Sequence, residues 1–274
     1  MKLKEYPLSL ITSLYLRFFI KQTAEKEKID CIISLTSIPS RLPTLHLTIA
    51  SLLNQSTPPK KIILWLNHEL KDYIPTSLSN LESDQFTICF RGETSSHRKL
   101  IFALQEFKND VIVTCDDDVM YRKNWLETLM GDHKNEPGSI ICHECREINF
   151  DQNGEPNPYR QWPTIKQVGY SSPALVPIGY GGVLYPPESL HQDTVNKSLY
   201  LSLAPKADDL WFKAMGLIQG TSVIKCSSVC KKPIPIIGAK GSSLAQTNIK
   251  QDGNRQQWLA ICNHYNITSK MLNL

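Results

Sequence analysis

Asp116, Asp117 and Asp118 close the apolar run that begins at Val111, and a second acidic pair, Asp208-Asp209, stands immediately before Leu210-Trp211-Phe212. Consecutive carboxylates repel one another, and ending a buried strand with them brings the costliest groups toward an apolar interior. A positive partner must meet them there. A hard divalent cation, magnesium or manganese, prefers oxygen ligands and keeps water and phosphate oxygens in its shell, so one or two of the three aspartates would suit it and bridge it to a diphosphate. The competing reading is an acidic loop facing water. Asp208 and Asp209 have a different chemistry open to them: a carboxylate beside a hydroxyl can take its proton as that oxygen attacks. Helix capping is the competing role, since aspartate is favoured at helix starts.

The elements that must position these groups alternate along the chain. CIISLTS (31–37) reads as a buried strand, LPTLHLTIASLLNQ (42–55) as a helix with Leu45, Ile49, Leu52 and Leu53 on one stripe, KKIILWLN (60–67) and FTICF (86–90) as strands, KLIFALQEF (99–107) as a helix and DVIVTC (110–115) as a strand. Such alternation predicts an α/β domain with a largely parallel sheet, in which ligands bind beyond the carboxyl ends of the strands. Thr36-Ser37 and Asp116–Asp118 both fall at such ends. Farther on, WLETLM (125–130) continues as helix, SIICHECREINF (139–150) reads as a strand, and KADDLWFKAMGL (206–217) is a helix entered through the acidic pair. A last helix surrounds Trp258.

With 274 residues, 41% hydrophobic and 20% charged, the chain has the composition of a globular domain, which excludes disordered and fibrous classes. A formal net charge of +4 is too small to imply nucleic acid, though it suits an anionic ligand or a membrane surface. Residues 1–29 form an amphipathic amino-terminal segment with a helix over 8–20. That stretch is interrupted by Arg17, has no small-residue cleavage site after it, and is shorter than the about 20 apolar residues a membrane span needs. It either lies on a lipid surface as a peripheral membrane contact or covers the flank of the domain. The expected location is the cytoplasm, at the inner face of the membrane in the first case. Residues 30–274 are expected to form one domain, with 30–130 as its nucleotide-binding half and 131–274 as its acceptor-side half. Cys142-x2-Cys145 with Cys226-x3-Cys230 has the loose outline of a four-thiolate zinc site; the alternative is buried thiols acting as small apolar groups.

The pieces LTSIPSR (35–41), IILWLN (62–67), HRKL (97–100), CDDDVMYRKNWL (115–126), GYGGVLYPP (179–187) and ADDLWF (207–212), in that order, resemble nucleotide-sugar-dependent glycosyltransferases of the A-type fold, especially bacterial enzymes that build surface polysaccharides. The likeness covers residues 30–215. It implies a Rossmann-like domain whose mostly parallel central sheet is flanked by helices. It implies too that Thr36, Ser37, Ile38, Pro39 and Arg41 hold the nucleotide base and ribose, with Arg41 able to reach a phosphate bidentately, and that Lys99 lies near the nucleotide. Matching the family's Asp-x-Asp motif, Asp116 would contact ribose or metal and Asp118 would be the principal metal ligand; Asp117 would contact the donor or shift the register by one. Gly181 and Gly182, with Gly179, would sit beside the donor sugar and acceptor, and His264 would complete the metal shell. Asp209 would be the base, with Asp208 as its neighbour or substitute.

The activity so implied is inverting, manganese- or magnesium-dependent hexosyltransferase chemistry. The donor would be a nucleotide-diphosphate sugar, with a UDP-sugar favoured, and the acceptor a saccharide or lipid-linked saccharide; no nucleic acid is expected as a partner. A retaining transferase on the same fold is the nearest alternative, and a non-catalytic nucleotide- or carbohydrate-binding protein the next. A nucleotidyltransferase would also use metal-bound aspartates, but no glycine-rich, basic phosphate loop accompanies them.

Overall fold

Cys31–Leu35 are all buried within β1 (Ile29–Thr36), as expected of a strand covered on both faces. The computed structural model to which β1 belongs describes residues 5–18, 27–239, 248 and 251–272. The elements in chain order are α1 (Tyr6–Phe18), β1, α2 (Leu42–Leu53), β2 (Pro59–Asn67), α3 (Thr76–Ser79), β3 (Phe86–Arg91), α4 (Arg98–Glu106), β4 (Ile112–Thr114), β5 (Val119–Met120), α5 (Trp125–Asn135), β6 (Ile140–Cys142), β7 (Cys145–Glu147), β8 (Leu175–Pro177), β9 (Val183–Tyr185), α6 (Lys197–Leu203), α7 (Asp208–Gln219), β10 (Val223–Lys225), β11 (Ile234–Pro235) and α8 (Gly253–Tyr265). Seven strands form one sheet in the order β10-β6-β9-β4-β1-β2-β3. β1 runs parallel to β2 and β4, β2 to β3, and β6 to β10, whereas β9 is antiparallel to both of its neighbours. Strands from both halves of the chain thus share a single ladder.

Alternation of side chains across the strands sends two apolar layers to opposite faces. On one, Cys31, Ile33 and Leu35 meet Leu45, Ile49 and Leu52 of α2 and Trp125, Leu126 and Leu129 of α5. On the other, Ile32, Ile63 and Trp65 pack with Phe102 of α4, and Ile112, Ile140 and Val183 pack with Leu210, Trp211 and Phe212 of α7. The buried hydroxyl of Ser34 is satisfied by the Lys99 carbonyl and by the Trp65 indole N–H at 2.8 Å. This ties the first turn of α4 to β1.

The expected single strand over 139–150 is two strands in different sheets. β6 stays in the main ladder, while β7 pairs antiparallel with β8. The ladder stops between them because the His143 N–H turns to the Gly182 carbonyl at 3.3 Å and the Lys225 ammonium takes the His143 carbonyl at 2.5 Å. The four cysteines considered for zinc do not form a site. Cys142 and Cys226 give their thiol protons to the carbonyls of Ile224 and Thr128, and among the described residues no three His, Cys, Asp or Glu side chains are gathered to hold a metal.

The antiparallel course of β9 decides where the glycines go. Since Val183 pairs with Thr114, the chain enters β9 where β4 leaves, which sets Gly179–Gly182 beside Asp116–Asp118. Gly182 has φ +99°, and a Cβ there would lie 2.4 Å from the Trp125 ring; Trp125 in turn donates to the Gly181 carbonyl at 2.7 Å. A Gly182→Ala substitution combines backbone strain with overpacking and is expected to lower stability by about 3 kcal/mol, as measured by urea unfolding.

Candidate active site

Beyond the carboxyl ends of β1 and β4 lies a cavity of about 560 Å³, lined by residues from the strand ends, the loop before α4, the turn before β9 and the start of α7. It contains every aspartate singled out in the sequence. Asp117 points away from water: it accepts from the Ser37 hydroxyl and pairs with Arg41. Arg41 uses its second terminal nitrogen on Asp118 at 3.1 Å. Pro39 opens the 3-10 turn that carries Arg41 into this position and does not itself line the cavity, whereas Thr36, Ser37 and Ile38 do. The strand-end triplet is therefore met by the protein's own cations. Burial, with repulsion from Asp116 and Asp117, pushes the Asp118 carboxyl up to about 6 against the opposing pull of Arg41.

Lys99 gathers the remaining acids. Its side chain is 7% exposed, and its ammonium lies 3.1 Å from Asp116, 2.9 Å from Asp208 and 3.9 Å from Asp209. Burial opposes the charge, but three carboxylates overcome that opposition and hold the lysine well above its ordinary pKa. The room for this cluster exists because residue 179 is glycine: a Cβ there would come within 2.6 Å of the ammonium.

Asp208 and Asp209 open α7, whose N-cap is Ala207, and neither makes a side-chain cap. Asp208 accepts from the Ser96 hydroxyl at 2.8 Å, and although burial works against its charge, Lys99 holds its carboxyl below the usual range. Among the described residues Asp209 accepts only the Gly179 N–H, at 3.2 Å to each oxygen. Burial first, then repulsion from Asp208 and Asp116, raises its pKa to about 7 even with Lys99 nearby. Two adjacent carboxylates thus have opposite proton affinities, and the one that favours its proton is the more exposed, 30% against 11%.

Other expected neighbours stand elsewhere. Gly181 and Gly182 do not line the cavity; they give way to Glu144 and Trp125, whose side chains lie where their Cβ atoms would be. His264 is on the exposed side of α8 against Tyr265, with ring centroids 4.7 Å apart, and is not among the residues around the acids. Trp211 and Phe212, which follow the acidic pair, are core residues and do not line the cavity, and the Trp211 indole donates to the Thr194 carbonyl. Tyr121 and Trp125 act on the backbone: the Tyr121 hydroxyl accepts the Asp116 N–H at 2.9 Å and donates to the Tyr180 carbonyl at 3.1 Å.

Arg98 is a site residue the sequence reading passed over in favour of Lys99. Its buried guanidinium binds the Thr36 hydroxyl and the carbonyls of Ser37 and Glu93, clamping the end of β1 to the loop before α4. Its signal was present in the same HRKL segment. Tyr159, Tyr180, Lys206, Asn248 and Asn254 also line the cavity; Tyr180 belongs to the GYGGVLYPP segment and Asn254 to the first turn of α8, and the five share no local pattern that would announce them together.

Removing the shared cation tests this geometry. Lys99→Met leaves three carboxylates without their common partner and is expected to destabilise the protein by about 3–5 kcal/mol. A carboxyl with a raised folded-state pKa contributes stability when protonated, and that contribution is lost as pH rises through the folded value. The penalty measured by denaturant unfolding is therefore expected to be larger at about pH 8 than at about pH 5.5.

No curated protein matches the chain. The model of the family described as Glycosyl transferase family 2 matches residues 39–181, just over half of the sequence, from the turn after β1 through the aspartate triplet to Gly181, stopping short of Asp208 and Asp209. A seven-stranded, mostly parallel sheet flanked by helices, with carboxylates at its strand ends and that match across its first half, makes this chain a member of glycosyl transferase family 2 and hence a glycosyltransferase.

Proposed function

We propose that the protein is an inverting, metal-dependent hexosyltransferase. In this reading it moves a sugar from a nucleotide-diphosphate sugar, a UDP-sugar favoured, to a hydroxyl of a saccharide or lipid-linked saccharide, in the building of a bacterial surface polysaccharide. The observation that carries the reading is the placement of Asp209, a carboxylate 30% exposed on the same cavity as the strand-end triplet, whose proton affinity is raised by burial and by its neighbours Asp208 and Asp116. A general base works best when its pKa lies close to the operating pH.

In this reading Asp209 takes the acceptor hydroxyl's proton while that oxygen bonds to the anomeric carbon. The bond from that carbon to the diphosphate oxygen breaks, and its electron pair leaves with the nucleoside diphosphate. One displacement inverts the configuration without a covalent intermediate. Asp208, held as an anion by Lys99 and Ser96, raises the proton affinity of its neighbour and has its oxygens engaged. Thr36, Ile38 and the backbone clamped by Arg98 would receive the nucleotide, with the Ser37 hydroxyl committed to Asp117.

Asp116 and Asp118 suit a hard cation. Each is 34% exposed toward the cavity, while Asp117 is taken up by Arg41 and Ser37. No third described side chain joins them. Magnesium and manganese commonly bind through one or two carboxylates and complete their shell with water and substrate phosphates, so the pair fits. When bound, such an ion would supply charge neutralisation for the departing diphosphate. Arg41 competes with it for Asp118.

Asp209→Asn is expected to lower kcat by about 10²–10⁴-fold with donor affinity kept. Wild-type kcat/KM should rise with pH and level off above about 7, since the base must be deprotonated. Near wild-type turnover in the variant would remove Asp209 as base; product NMR showing retained configuration, or release of pyrophosphate, would replace the reaction class. Calorimetric titration with manganese in the absence of donor should show affinity lost in Asp118→Ala and raised about tenfold in Arg41→Met, where the competing cation is gone.

A further inference from the structure

Helix α1 is built inside out for a helix that only covers a flank. Its stripe toward the domain is Ser9, Ser13 and Leu16, all buried, and its other faces carry Tyr6, Leu8, Leu10, Ile11, Leu14 and Tyr15, which are 42–65% exposed. A surface helix of a globular protein normally turns its large apolar side chains inward, and contiguous apolar exposure of this kind marks an interaction face. The inward contacts fix the helix firmly: the Ser9 hydroxyl donates to the Pro235 carbonyl at 2.6 Å, the Ser13 hydroxyl to the Met120 sulfur at 3.7 Å, and Leu16 joins Leu47, Ala50 and Ile234. The outward face is thus a fixed feature of the molecule.

Charge selects the occupant. Residues 1–24 contain Lys2, Lys4, Arg17 and Lys21 against the single acid Glu5, so this short stretch carries most of the chain's formal +4, and α1 itself holds no acid. Among the described residues no helix is long and apolar enough to cross a membrane. An apolar face on a non-spanning helix that carries Arg17, within a stretch of sequence whose charge is net positive, fits the headgroup region of an anionic bilayer, where apolar burial and lipid charge act together. We infer that α1 is a lipid-docking surface that seats the protein on anionic membrane through Leu8, Leu10, Ile11 and Leu14, with Arg17 on the headgroups. This surface is independent of the chemistry assigned to the cleft. It is nevertheless physically joined to it, since β11 pairs with β5 and the Ile236 N–H reaches the Asp118 carbonyl at 3.1 Å.

The test is co-sedimentation of the full chain with vesicles of phosphatidylcholine alone or with about 30% phosphatidylglycerol. The wild type is expected to sediment with the anionic vesicles and to be released by salt. Ile11→Glu combined with Leu14→Glu should weaken binding at least tenfold while circular dichroism and the thermal midpoint stay as in the wild type, both positions being exposed. Arg17→Glu should keep the apolar face and lose much of the preference for anionic lipid. Wild-type protein left in the supernatant, equal sedimentation of the double variant, or a solution dimer that the double variant converts to monomer would overturn the proposal, the last by assigning the face to a second copy.

Discussion

Everything around the cleft depends on one ammonium group serving three carboxylates. Asp116 arrives from the end of β4 and Asp208-Asp209 from the start of α7, 92 residues later, and each is acceptable in a half-buried place only because Lys99 stands between them. Bringing acids together without such a partner would protonate them or expel them to water. The lysine is in turn held by its backbone, whose carbonyl is fixed by Ser34 on β1. Core, sheet and polar cluster are one mechanical system.

The same arrangement separates two acids that the chain makes chemically identical. Asp208 receives Ser96 and the closest approach of Lys99, while Asp209 receives one backbone N–H and the repulsion of its neighbours. Pairs of titratable groups driven apart in proton affinity by their surroundings are a signature of acid–base sites. Arg41 brings about a comparable division in the triplet, sequestering Asp117 and leaving Asp116 and Asp118 toward the cavity. Division of labour within each acidic run is therefore set by which cation or hydroxyl reaches which oxygen.

Much of the framework was legible in the sequence because it rests on local patterns. Unbroken apolar runs at 31–35 and 62–66 read as doubly covered strands, Leu45, Ile49 and Leu52 as a helix stripe, and the run ending in three aspartates as a strand end opening on a crevice. The source of the compensating positive charge was not legible, since the contact between Arg41 and Asp117 spans 76 positions. Helix capping, the competing local role for Asp208 and Asp209, gives way to long-range contacts with Ser96, Lys99 and Gly179. The strand over 139–150 broke for a similar reason: Gly182 and Lys225 claim the His143 backbone from a distance. The glycines at 181 and 182, expected beside the donor sugar and acceptor, have Glu144 and Trp125 packed against them instead, contacts that span 37 and 57 positions and leave no local trace.

Because β9 runs against its neighbours and bonds to both β4 and β6, the two regions of the chain that supply the acids belong to one continuous hydrogen-bonded slab. Separate lobes joined by a hinge would have to draw their charged groups together each time a ligand arrived, at a cost in binding free energy. Here the acids already stand around Lys99 before a ligand arrives, so an incoming molecule meets a finished electrostatic mould.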